Sequence, residues 1–95
     1  DDTMTAMERL KEDGYVVISA EQTVGSVMLD EFRPEKGRKY AIVFGNEVSG
    51  VRQDIVDASD MVLEIPQYGT KHSLNVSVSM GVMLWHFRYW LDRPW

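Results

Sequence analysis

Residues 73–90 read SLNVSVSMGVMLWHFRYW, and the phrase IPQYGTKH at 65–72 leads into them. The stretch is too long and too apolar for an edge element, and small residues fall along one side of it. It reads as a partly buried helix packed tightly against a neighbour. Working back towards the start, three short runs supply what such a helix packs on: YVVIS at 15–19, YAIVF at 40–44 and MVLEI at 61–65. All are rich in β-branched residues and none alternates cleanly between apolar and polar, which marks strands covered on both faces. Helical segments separate them. The expected fold class is therefore α/β, a mostly parallel sheet covered by helices.

The connecting segments fit this plan. Residues 3–11, TMTAMERLK, set Met4, Met7 and Leu10 or Lys11 along one side, with Thr3 as the expected N-cap and Gly14 where a C-terminal stop belongs. A loop with Gln22, Thr23, Gly25 and Ser26 follows the first strand, then a short segment VML at 27–29. RPEKG at 33–37 is a polar connection expected to stay out of any core. QDIVDA at 53–58 reads as a short helix. Without repeats, low-complexity tracts or linkers, residues 1–95 read as a single domain. Three strands and three helices form an open half of an α/β unit, and the sequence opens on a helix that should follow an earlier strand.

Composition narrows the function classes. Ninety-five residues bury only about 60–65% of their surface on folding, which favours support from a partner. No apolar run approaches the roughly 18 residues of a membrane span. With no cysteine and two histidines, a thiolate nucleophile is absent and a zinc site is not expected. The expected location is cytoplasmic, because no basic, apolar-cored leader opens the sequence. A net charge of −5 argues against this stretch clamping phosphates by itself.

Chemistry is expected at the carboxyl ends of the strands, where open α/β sheets bind ligands. GNEVSGV at 45–51 follows the second strand: its glycines let backbone approach a ligand, and Glu47 offers a carboxylate. The plainer reading is a turn followed by a helix cap. After the third strand, IPQYG at 65–69 makes a rigid turn, and Ser73, Leu74 and Asn75 open the long helix with unsatisfied N–H groups suited to an anion or polar ligand. Here the plainer reading is that Ser73 or Asn75 only caps the helix. Two such motifs on successive strand ends should lie side by side, which favours a shared site.

FGNEVSGV at 44–51 and IPQYGTKHSLNVSVSMG at 65–81 resemble, in wording and spacing, the second and third signature motifs of the SpoU/TrmH family of RNA 2′-O-ribose methyltransferases, in the SPOUT superfamily. The resemblance covers about two-thirds of the chain. It implies an α/β fold with a C-terminal trefoil knot, in which the last helix builds both an S-adenosylmethionine pocket and a homodimer interface. By the same resemblance Gly45, Ile65 and Leu74 hold the methyl donor. Gln67, where the family more usually has methionine, and Thr23, in a loosely matching loop, line the same pocket. Asn46, Glu47, Ser73 and Asn75 match the catalytic positions that place the ribose or its neighbouring phosphate. The implied substrate is tRNA or rRNA, with no metal and no membrane.

One departure stands out. The family's first motif carries an Asn and an Arg, and that Arg activates the ribose hydroxyl. No matching context surrounds Arg9, Arg33, Arg38, Arg52, Arg88 or Arg93. The chain thus resembles the C-terminal half of a methyltransferase domain lacking its N-terminal strands, expected to be inactive alone. The alternative is a non-catalytic dimerisation or binding module that kept the scaffold. Met80, Met83, Trp85, Phe87, Trp90 and Leu91 read as core and interface in preference to a base-stacking platform. His72 beside Ser73 makes a poor nucleophilic pair, since adjacent residues rarely face each other. His86 reads as a satisfied interface histidine, and Asp54, Asp57 and Asp60 as caps and solvated face.

Overall fold

The computed structural model describes residues 2–46, 49–66 and 76–92. Helix α1 spans Asp2–Glu12, β1 Tyr15–Ala20, β2 Val27–Met28, β3 Lys39–Phe44, α2 Gln53–Ala58, β4 Met61–Glu64 and α3 Val76–Leu91, with one 3-10 turn at Leu29–Glu31. The four strands form one sheet in the order β2-β4-β1-β3. Every pairing is parallel.

Strand period two divides the core between two faces. Val17 points to one side, where it is buried with Met7 of α1 and Ile55 of α2. Ile18 points to the other, where it meets Leu29, Leu63 and, from α3, Met83 and Phe87. Helices therefore cover both faces, which explains why the strand sequences are apolar without alternation. Full burial of a side chain such as Ile18, Leu63 or Met83 contributes about 1.5–3 kcal/mol. The buried Ser19 is satisfied through its neighbours. Ser59 donates its hydroxyl proton to the Ile55 carbonyl (2.8 Å), leaving its oxygen to accept from Ser19, 2.5 Å away.

Several boundaries differ from the sequence-based expectation. Thr3 is not an N-cap: α1 already includes Asp2, so Thr3 lies inside its first turn. Gly14 does end that helix, at φ 86°, with its N–H on the Lys11 carbonyl. The segment after the first loop adds a fourth strand, because Val27 and Met28 pair with Leu63 and Glu64. Two residues are too few to leave a periodic signature. The polar connection at 33–37 does contribute a buried residue, Pro34, which has no N–H to leave unsatisfied.

On α3, Met83, His86 and Phe87 share the buried face at spacings of three and four. His86 Nε2 lies 2.6 Å from the Phe32 carbonyl oxygen and donates to it, so the ring is satisfied within the chain. The opposite face exposes Val78, Val82, Trp85 and Tyr89, with the Trp85 and Tyr89 rings stacked at 4.9 Å. At Gly81 the absent side chain serves no close contact among the described residues: a Cβ built there would meet nothing within 4 Å.

Candidate functional site

Register fixes where the strand ends lie. Ala20 pairs with Phe44 on one side and Leu63 on the other, so β1 and β3 finish level and β4 runs one residue further, to Glu64. One residue past the paired row stand Glu21, Gly45 and Glu64. The ends of β3 and β4, where the two motifs begin, share this edge. They are not side by side, however, because β1 runs between β3 and β4. At one strand spacing per step, the ends of β3 and β4 are roughly 10 Å apart. Whatever spans them passes over the end of β1.

The turn after β3 is held by its own atoms. Gly50 donates its N–H to the Asn46 carbonyl (3.1 Å), and Asn46 Oδ1 accepts both from the Ser49 N–H (2.7 Å) and from its hydroxyl (3.0 Å). The plainer reading of Asn46 is therefore met in the fold: its side chain shapes the turn. Gly50 has φ 67°, a left-handed conformation that side chains disfavour. Gly45 is constrained differently, since a Cβ there would overlap the Gly50 carbonyl group and the Val51 nitrogen.

The loop after β1 crosses in front of β4. The Thr23 carbonyl accepts from the Ser26 N–H (3.2 Å) and faces its hydroxyl (2.9 Å), while that hydroxyl lies 2.6 Å from the Glu64 carboxylate. The carboxylate contact is the shorter and the charge-assisted one. Val24 at the tip is fully exposed. Ile65, just past β4, is half-buried and packs against the core shared with α3. Of the residues assigned from the sequence, Thr23, Gly45, Asn46 and Ile65 gather at this edge. Glu47, Gln67, Ser73, Leu74 and Asn75, with His72, lie outside the described residues.

A residue missed by sequence reasoning stands at the centre of the edge. Glu21 donates its N–H to the Leu63 carbonyl of β4 (3.1 Å). Its carboxylate reaches the other way, with Oε2 accepting from the Val51 N–H (2.8 Å) and Oε1 from the Gln22 N–H (3.0 Å). One residue thus touches both flanks. Its signal in the sequence was an acid placed directly after the buried run YVVISA.

Charge elsewhere is local. The Arg52 guanidinium bonds the Asp54 carboxylate (2.8 and 3.1 Å) and holds it below the usual aspartate range, while Asp54 raises the arginine in return. Asp57 accepts from Gln53, and Asp60 from the Val17 N–H. Among the described residues no group of three His, Asp or Glu is placed to hold a metal ion. Nor is any described helix long and apolar enough to cross a membrane.

An all-parallel α/β sheet, covered on both faces and with its loops gathered at one row of strand ends, is the class of protein these features define. More specifically, the chain belongs to the SpoU rRNA methylase family, whose model matches residues 1–85. It is similar to the mouse tRNA (guanosine(18)-2′-O)-methyltransferase TARBP1, 38% identical over 85 residues, a match covering 88% of this chain and 5% of that protein. It is also similar to the tRNA (guanosine(18)-2′-O)-methyltransferase of Borreliella burgdorferi, 32% identical over 80 residues, covering 84% of this chain and 36% of that one. Among solved structures, the AdoMet-bound rRNA methyltransferase from Sinorhizobium meliloti superposes with a TM-score of 0.82 at 25% identity, over 92% of this chain and 33% of that one. The A. aeolicus TrmH/SpoU tRNA modifying enzyme gives 0.77 at 31% identity, over 87% and 41%. The chain therefore spans between 5% and 41% of the length of these relatives.

Proposed function

We propose that the chain forms the cofactor-binding and dimerisation half of an S-adenosylmethionine-dependent RNA 2′-O-ribose methyltransferase. The family match over residues 1–85 carries this reading. The names of the mouse and B. burgdorferi relatives favour tRNA as substrate, with rRNA the other candidate. A cytoplasmic site of action belongs to the same proposal.

The residues at the strand ends fit such a cofactor. Gly45 lets the turn fold back against the end of β3, and the half-buried Ile65 offers apolar surface across the end of β1. In this reading Gly45, Ile65 and Thr23 hold the cofactor together with Gln67 and Leu74. When bound, the cofactor supplies an electrophilic methyl group. The chain's task is to hold the ribose 2′-hydroxyl in line with it and ease loss of its proton. Glu47, Ser73 and Asn75 shape the ribose pocket, and Asn46 acts through the turn that it fixes. The arginine that the family uses to activate the hydroxyl has no counterpart in these residues, so the 95-residue stretch alone transfers no methyl group. A C-terminal trefoil knot built by the last helix belongs to the same proposal, and the apolar face of Val78, Val82, Trp85 and Tyr89 meets a second copy.

Calorimetry on the full-length protein, with S-adenosylmethionine and S-adenosylhomocysteine, tests the reading, together with transfer of labelled methyl to tRNA and to rRNA. Absence of binding by either ligand ends it. Binding without transfer to any RNA favours the second reading, a dimerisation module that kept the scaffold.

A further inference from the structure

We infer that Glu21 is a positioning residue, the clamp that sets the turn of residues 45–51 against the end of β4 so that both can face one cofactor. The inference rests on the proposed methyltransferase reading and adds to it a residue that neither motif contains.

The geometry is that of a bridge. The Glu21 backbone is fixed on β4 by its N–H to Leu63, and its carboxylate is fixed on the turn after β3 by the Val51 N–H. Since β1 separates β3 from β4, no direct strand pairing joins the two strand ends from which the motifs continue. Glu21 supplies that link from the strand between them. Its second oxygen accepts from Gln22, and a carboxylate that swung away would leave the part-buried Val51 N–H without its acceptor. Gly50 completes the fit, since a Cβ at that position would run into Glu21 Oε2. The absent side chain at Gly50 thus makes room for the clamp. A carboxylate is needed because both partners are donors. Glutamine keeps one accepting oxygen and puts an N–H₂ where the other was.

The test compares wild type, Glu21→Gln and Glu21→Ala in the full-length protein by three measurements: calorimetric affinity for S-adenosylmethionine, affinity for tRNA, and amide hydrogen exchange at Val51. Loss of hydrogen bonds to a charged acceptor should weaken cofactor binding by about tenfold to a hundredfold in Glu21→Ala. Glu21→Gln should fall between, tRNA affinity should stay unchanged, and exchange at Val51 should accelerate in the same order. A merely structural role would lower the melting temperature and both affinities together. Cofactor affinity equal in all three proteins overturns the inference, as does unchanged exchange at Val51. If the wild type binds no cofactor, the methyltransferase reading falls on that result, and exchange at Val51 still decides whether the clamp exists. Should Glu21→Ala fail to fold, Glu21→Gln carries the comparison.

Discussion

His86 and Phe32, 54 positions apart in sequence, are joined by a 2.6 Å hydrogen bond from the imidazole Nε2 to the main-chain carbonyl. This bond ties α3 to the connection between β2 and β3, beside the ring contacts of Phe87 with Phe32 and Tyr40. Replacing His86 by alanine leaves that carbonyl without its donor and should cost about 1–3 kcal/mol in urea denaturation. His86→Gln, whose amide can donate from a similar position, should recover part of the loss.

The two glycines of the 45–51 turn should fail for different reasons. Gly50→Ala forces a side chain into left-handed backbone, costing about 1–2 kcal/mol, and also displaces the Glu21 carboxylate. Gly45→Ala drives a methyl group into main chain, an overpacking loss of about 1–3 kcal/mol or more. Thermal unfolding of both variants checks the order, with Gly45→Ala expected to be the worse because backbone cannot step aside.

Methionine truncation along α3 should read out its two faces. Met83 is fully buried, and Met83→Ala should lose about 2–5 kcal/mol. Met80 is 41% exposed, and its alanine variant should stay within about 0.5 kcal/mol of wild type if the protein is monomeric. A large loss at Met80 in denaturant titrations would place that residue in an interface.

Trp85, 65% exposed and stacked on Tyr89, tests the proposed dimer directly. Trp85→Arg removes apolar surface from a face that the chain itself does not cover. Light scattering at micromolar concentration should report a dimer for wild type and a monomer for the variant, with far-UV circular dichroism unchanged. A monomeric wild type would refute the assignment.

The Arg52 and Asp54 pair has a defined pH signature. The arginine holds the folded-state carboxyl below its ordinary value, so the pair's contribution is present above the unfolded aspartate pKa and is lost as pH falls through the depressed one. NMR titration should find Asp54 below the usual aspartate range, and Arg52→Ala should return it upward. Both side chains are more than half exposed, so high salt should shrink the difference.

Much of the fold was legible in the sequence because its elements carry strong local signals. QDIVDA is a helix at the residues expected, and YVVIS and YAIVF are strands, because a strand buried on both faces must be apolar throughout. Strand order was not legible. Nothing local to Tyr40 or Met61 says that both will pair with β1 and not with each other, and this produced the mistaken side-by-side placement of the motif turns. At the site, glycines announced themselves through the turn chemistry they permit. Glu21 did not, because a carboxylate that answers a main-chain N–H thirty positions away leaves no pattern in its own neighbourhood. The strand pair Val27 and Met28 escaped for a related reason: its pairing partner, β4, lies more than thirty positions later.

The order β2-β4-β1-β3 also bears on synthesis. Of the four described strands β1 is made first, and both of its hydrogen-bonded neighbours follow the 3-10 turn, so a nascent polypeptide ending before Met61 leaves one side of Ile18 bare. Local contacts cannot relieve this, and long loop closures slow the search. Until β4 and α3 have been made, the apolar run around Ile18 lacks half of its cover, and it is the segment a chaperone would grasp.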